Sequence, residues 1–275
     1  NGSTLEFDAD PATATLHARE VIAQHAEDFY DYGHTVIADA GIGQGVRREA
    51  LRDDKRDGHG PARIFDPDVI DRWTDCYNND SVTRAFSMGV VVAAKFAANY
   101  NNDAELITME LQRAFTNANM VYTPQLNIVL MIDQIYIPAL VGESVSWDSC
   151  SGGIHQQIDD FKYWAPPSRQ GLWHLFDDCF ESGTIGVATL GNQWNGMCQI
   201  DPVNGCTHGA CYRNRGVTWL GSSTWLTFAH EIGHNFGADH AFNKGVGSTG
   251  GIMDYGDGKY EGVYQFNTEF TKNDI

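Results

Sequence analysis

The stretch that decides the fold runs from His230 to His240 and reads H-E-I-G-H-N-F-G-A-D-H. His230 and His234 stand four positions apart, so on a helix their imidazoles share one face and can grip one ion. Glu231 follows His230 and can reach a water on that ion as a general base. Gly237 stops the helix, because glycine enters the left-handed region without steric cost. The chain then swings back and offers His240 as a third ligand. Three protein ligands leave the fourth tetrahedral position open for water, the arrangement of a catalytic zinc rather than a structural one. The plain alternative is a helix with surface histidines and no metal; the third histidine and the glycine at their set spacing argue against it.

After His240 comes Gly251-Ile252-Met253-Asp254-Tyr255-Gly256, a candidate Met-turn. The two motifs together form the metzincin pattern, and the chain resembles that clan of zinc endopeptidases.

The chain has 275 residues, enough to bury a sizeable core. Acidic residues number 36 and basic ones 18, a net charge of −18. That balance argues against nucleic acid or anionic lipid as a partner. Every apolar run is shorter than the ~18 residues a membrane span needs, and the opening Asn1-Gly2-Ser3-Thr4 does not have a signal-peptide pattern. Six cysteines are present: Cys76, Cys150, Cys179, Cys198, Cys206 and Cys211. None is needed as a zinc ligand, and an even count suits disulfides in an extracellular protein. Cys206 and Cys211 flank Thr207-His208-Gly209-Ala210; a local disulfide is favoured there over a second metal site with His208.

Residues 1–82 read differently from the rest. Asp10-Pro11 signals a helix start, Gly41 to Gly45 a flexible turn, and Arg47 to Gly60 a charged, solvated linker. From about Ser87 the pattern is α/β. Met88 to Phe96 reads as a buried strand. Asp103 can cap a helix with Ile107, Leu111, Ala114, Phe115 and Ala118 facing inward, ended with help from Pro124. Leu126, Ile128, Leu130 and Ile132 alternate as a strand does. Gly153 to Trp164 reads as a helix, Leu172 to Phe176 and Thr184 to Leu190 as strands, and Ser222 or Ser223 can cap the histidine helix.

The run H-L-F-D-D-C-F-E-S-G-T-I-G-V-A-T-L-G from His174, the later Gly196-Met197-Cys198, and Thr227-Phe228-Ala229 before the histidines are similar to the adamalysin/reprolysin (ADAM) catalytic domains. The resemblance covers roughly residues 85–275. It implies a metzincin fold of the α/β class. That fold has a mixed five-stranded sheet, long helices including the zinc helix, and a small irregular C-terminal subdomain below a cleft. It also implies that Thr184, Ile185, Gly186, Val187 and Ala188 belong to an edge strand that an extended substrate would join. Met253 would be the hydrophobic base beneath the ligands. The expected boundaries are an N-terminal segment at 1–82, pro-peptide-like, and a catalytic domain at 83–275.

Three departures from the family pattern stand out. Ala241 replaces the aspartate that usually follows the third histidine. No cysteine after Cys211 is present to pair with Cys198. Tyr255 gives an M-x-Y spacing similar to astacins, serralysins and pappalysins. In astacins and serralysins that tyrosine can ligate zinc and swing away to stabilise the transition state. Tyr255 is therefore either such a switch or a ring packed beneath the cleft.

The expected activity is that of a secreted, monomeric zinc endopeptidase acting on proteins or peptides. The alternatives are a catalytically silent adhesion or binding module, and a zymogen. Cys76 is the candidate latency switch, since a thiolate can fill the open zinc position; a structural disulfide or free thiol is the competing reading. Asp66 and Asp68 are candidates for an aspartate switch. Calcium occurs in many relatives, but no calcium-loop spacing is legible here.

Overall fold

The computed structural model describes residues 83–179, 183–191, 197, 201–221, 223–255 and 264–271. Cys76, Asp66, Asp68, Cys198 and the N-terminal helix, turn and linker expectations lie outside the described residues.

Strand β1 (Arg84–Val92) opens the fold. Alternation sends Met88, Val90 and Val92 to one core and Val91 to the other, so the strand is buried on both faces. The expected strand over Met88 to Phe96 is thus displaced, because Ala94–Asn99 forms a short helix, α1. Its first free N–H, that of Ala94, is capped by Asp148, 3.0 and 3.2 Å from the two carboxylate oxygens. A cap from so distant a residue leaves no local sign in the sequence.

Helix α2 (Ala104–Leu126) starts where expected: the Asp103 carboxylate accepts from the N–H groups of Glu105 and Leu106. Ile107, Leu111, Ala114, Phe115 and Ala118 are buried as their spacing requires. Pro124 does not end this helix; it sits in the last turn, and the helix ends at Asn127 in the left-handed region (φ 55°). Pro124 has no N–H for the carbonyl of Met120, four residues back, and the helix continues to Leu126 despite that lost bond.

Strand β2 (Ile128–Tyr136), a single-turn α3 (Pro138–Val141) and helix α4 (Gly153–Tyr163) follow. Next come β3 (Trp173–Asp177), β4 (Gly186–Ala188), the hairpin β5 (Val203–Cys206) and β6 (Gly209–Cys211), and β7 (Arg215–Trp219). Helix α5 (Thr224–Phe236) carries the histidines, and a 3-10 turn spans Ile252–Asp254.

The main sheet has five strands in the order β2-β1-β3-β7-β4. The first four are parallel and β4 is antiparallel at one edge. Helices α2 and α5 cover one face with a core that includes Leu111, Phe115, Phe228 and Ile232. Helix α4 covers the other with Ile154, Ile158 and Phe161 around Trp147 and Trp173. Gly89 is where the Trp173 ring crosses β1; a Cβ there would collide with it. No helix among the described residues is long and apolar enough to cross a membrane.

Strand β7 escaped the sequence reading. Arg-Gly-Val-Thr-Trp looks too polar for a central strand, yet Arg215 is fully buried. Its guanidinium donates to the carbonyls of Phe161, Trp164 and Asn214 and lies over the rings of Phe161 and Tyr212. Among the described residues two disulfides are present, Cys150–Cys179 and Cys206–Cys211. The second closes the β5–β6 hairpin around His208, as the local-disulfide reading expects.

Candidate active site

Helix α5 begins after Ser223, whose side chain makes no cap bond; Thr224 Oγ1 accepts from Gly221 N–H instead (3.1 Å). It ends at Gly237, held at φ 115°. There Ala238 N–H donates to Gly233 O (2.9 Å), and the chain reverses. That reversal brings His240 back over the helix.

The three imidazoles converge. His240 Nε2 lies 3.3 Å from His230 Nε2 and 3.3 Å from His234 Nε2. His230 Nδ1 donates to Ile252 O and His234 Nδ1 to Ala238 O, each at 2.7 Å. With those protons committed, the Nε2 lone pairs of His230 and His234 both face His240 Nε2, and a cation between the three would accept all of them. Nitrogens held about 2.0–2.1 Å from one tetrahedral ion would stand about 3.3–3.4 Å apart, so the observed separations suit such an ion. Burial lowers His230 to about 3 from 6.5 and also lowers His234 and His240, which keeps the rings in the neutral, ligating form.

Glu231 is 4 % exposed, and among the described residues its Oε2 has no hydrogen-bond partner. Burial pushes its carboxyl well above 4.5. Gly186 of β4 lies directly against it: a Cβ on Gly186 would collide with Glu231 Oε1 and come within 2.6 Å of Thr227 Cγ2. Edge strand and carboxylate are therefore in contact only because position 186 has no side chain.

The edge ladder is longer than β4 itself. Trp219 N–H donates to Ile185 O (2.8 Å) and Thr189 N–H to Arg215 O (2.9 Å). Val187 and Ala188 are half-buried within the strand; Thr184 is exposed and outside it. The outer edge of β4 pairs with no strand among the described residues.

Met253 is fully buried, and its Sδ lies 2.7 Å from where a Cβ on Gly233 would stand. Its carbonyl accepts from Ala241 N–H (3.0 Å), which ties the turn beneath the histidines to the chain that delivers His240. Tyr255 is 65 % exposed, so its ring is not buried under the cleft. The ring lies 5.7 Å from that of His230 and 5.3 Å from that of His240. Its backbone is left-handed (φ 52°), uncommon for a bulky residue.

Two residues of this neighbourhood went unremarked in the sequence. Asn235, beside His234, donates through Nδ2 to Thr189 O and Arg215 O, both at 2.9 Å. Phe242 stacks on His240, centroids 4.6 Å apart. The only sign of either was its place next to the motif.

A sheet of this order, with three histidines and a buried glutamate at its antiparallel edge, fits the metzincin pattern read from the sequence. The chain belongs to metallo-peptidase family M12, whose reprolysin-type model matches residues 82–265. It is similar to disintegrin and metalloproteinase domain-containing protein B of Aspergillus fumigatus, 25% identical over 162 residues, covering 56% of this chain and 20% of that protein. The protein of the same name in Arthroderma otae is 22% identical over 193 residues, covering 63% of this chain and 23% of the relative. This chain thus spans about a fifth of the length of these relatives. Among solved structures it is similar to metalloproteinase-II from Bacteroides fragilis, at 15% identity and a TM-score of 0.41, covering 71% of this chain and 54% of that one.

Proposed function

We propose that residues 83–275 form the catalytic domain of a secreted, zinc-dependent endopeptidase of the adamalysin type, with 1–82 as a pro-like segment. The observation that carries this reading is the convergence of three neutral imidazoles beside one buried carboxyl group. His230, His234 and His240 would hold the zinc. When bound there, zinc lowers the pKa of water toward ~7 and polarises a carbonyl.

The chain supplies the rest. The free edge of β4 takes up an extended peptide as one more strand, through the main-chain groups of Gly186 and Ala188, which alternate with the residues bonded to β7. Gly186, against Glu231, sets that strand over the carboxylate. Glu231 takes the proton from the attacking water on its carboxylate oxygen, then passes it to the leaving amide nitrogen. The two disulfides support an extracellular setting. A protein or peptide is the substrate class that an unpaired strand edge recognises.

The test is cleavage of a quenched peptide library with and without a chelator. Chelation should abolish turnover and zinc should restore it. Glu231→Gln should keep its zinc and lose about 10²–10⁴ in kcat; retained proteolysis in that variant would refute the reading. Tyr255, exposed beside the ligands, is assigned as a donor to the developing oxyanion. Tyr255→Phe should lower kcat about 10²-fold with metal content unchanged, and an unaltered kcat removes that role.

A further inference from the structure

The three imidazoles are not held alike. His230 and His234 are each fixed by a carbonyl on Nδ1, as outer partners of metal ligands commonly do. Among the described residues no hydrogen bond reaches Nδ1 of His240. Its ring meets an aromatic face instead. Phe242 lies almost parallel to it, at 4.6 Å and 10°. Tyr255 meets His240 edge-on at 5.3 Å and 69°, and meets Phe242 at 5.1 Å and 61°.

The backbone explains why these rings lie side by side. Ala241 is fully buried, and its N–H is bound to Met253 O. His240 and Phe242, on either side of it, are half-buried, and their rings stack on each other. Ala241 itself has no polar group to offer the imidazole.

We propose that Phe242 is the positioning residue for the third metal ligand: its ring fixes the plane of the His240 imidazole, as the two carbonyls do for His230 and His234. This rests on the reading that the three histidines hold zinc. An imidazole on a loop, with no partner on its far nitrogen, can turn about its side-chain bonds, and each turn carries Nε2 away from the other two. A stacked ring of matching plane restricts that rotation without needing a hydrogen bond.

The test is zinc affinity of the full chain by competition with a chromogenic chelator. Phe242→Leu keeps apolar volume and removes the flat face; it should bind zinc about tenfold or more weakly. Phe242→Tyr keeps the face and should stay within about threefold of wild type. The visible spectrum of the cobalt-loaded protein should change shape for Phe242→Leu and not for Phe242→Tyr. The metal-free melting temperature of each variant controls for folding, with Phe242→Met carrying the same comparison if the leucine variant does not fold. Affinity and spectrum unchanged in the leucine or methionine variant would overturn the proposal, since a space-filling side chain would then suffice. If wild type itself binds no zinc, the metal-site reading fails first, and this experiment shows that separately.

Discussion

One absent methyl group governs how Glu231 sits under the edge strand. Gly186 is in an ordinary strand conformation, so its backbone angles place no demand for glycine; the demand comes from space, since a Cβ would overlap Glu231 Oε1 and press on Thr227. Both neighbours belong to α5, a packed helix with little room to retreat. Gly186→Ala should therefore displace the carboxyl group rather than the helix. The expected outcome is a fall in kcat of about 10²-fold, as for a misplaced catalytic group, with an overpacking cost of about 1–3 kcal/mol. Zinc content should be unchanged. Steady-state kinetics with thermal denaturation check this, and an alanine variant with wild-type kcat would show that Glu231 has freedom the packing denies it.

Asn235 acts at the scale of elements. Its one amide joins three of them: α5, on which it sits, β7 at Arg215 O, and the continuation of β4 at Thr189 O. The helix end returns the contact, with Gly191 N–H on His234 O (2.7 Å) and Met197 N–H on Asn235 O (3.3 Å). Asn235→Ala takes its donor from Thr189 O and leaves Arg215 O with the Thr189 N–H alone, and should cost about 1–3 kcal/mol. Its kinetic mark should be a rise in KM that is larger for peptides long enough to span Ile185 to Thr189 than for short ones. An equal rise for both would mean that the clamp stabilises the fold without setting the strand. This element-level view also explains what the sequence made legible. The histidine helix, the Asp103 cap and the inward face of α2 depend on neighbours within a few residues, and each was readable in place. What was not readable depends on distant partners. Strand β7 hides because the Arg215 guanidinium is hydrogen-bonded by the carbonyls of Phe161 and Trp164 and covered by the Phe161 ring, some fifty residues away. Helix α1 hides because Asp148 caps it. The roles of Asn235 and Phe242 emerge only once the sheet edge and the returning loop are in position. The five-strand count came from the family resemblance, and the pattern alone located four.

The whole molecule carries opposing pH dependences in one central strand. On β3, His174 is fully buried; its Nε2 is 2.9 Å from Thr218 Oγ1, and among the described residues its Nδ1 has no partner. Burial lowers its pKa from 6.5 to about 3. Three residues on, burial raises Asp177 from 3.8 to about 6, partly countered by hydrogen bonds from Gln157 and the Asp178 N–H. The signs differ. For His174 the unfolded chain binds the extra proton, so its contribution is complete above 6.5 and is lost as pH falls toward 3. For Asp177 the folded protein binds the extra proton, so its contribution is complete below 3.8 and is lost as pH rises through 6. Between about 4 and 6 the two slopes, each at most about 1.4 kcal/mol per pH unit, work against each other. Below 3.8 only the histidine slope remains. Acid also weakens metal binding and discharges the carboxylates, so wild-type stability alone does not isolate the histidine. His174→Asn does, because those other changes are common to both proteins. The stability difference between wild type and His174→Asn, measured by denaturant melts, should be constant above pH 7. It should then shift against wild type steadily from 6.5 down to the lowest pH at which both fold. In the variant alone, the Asp177 slope loses its opposition between 4 and 6, so its stability there should fall less with acid than that of wild type. A difference that stays flat across this range would mean that the imidazole is hydrated or shielded inside the sheet, and that burial does not hold it neutral.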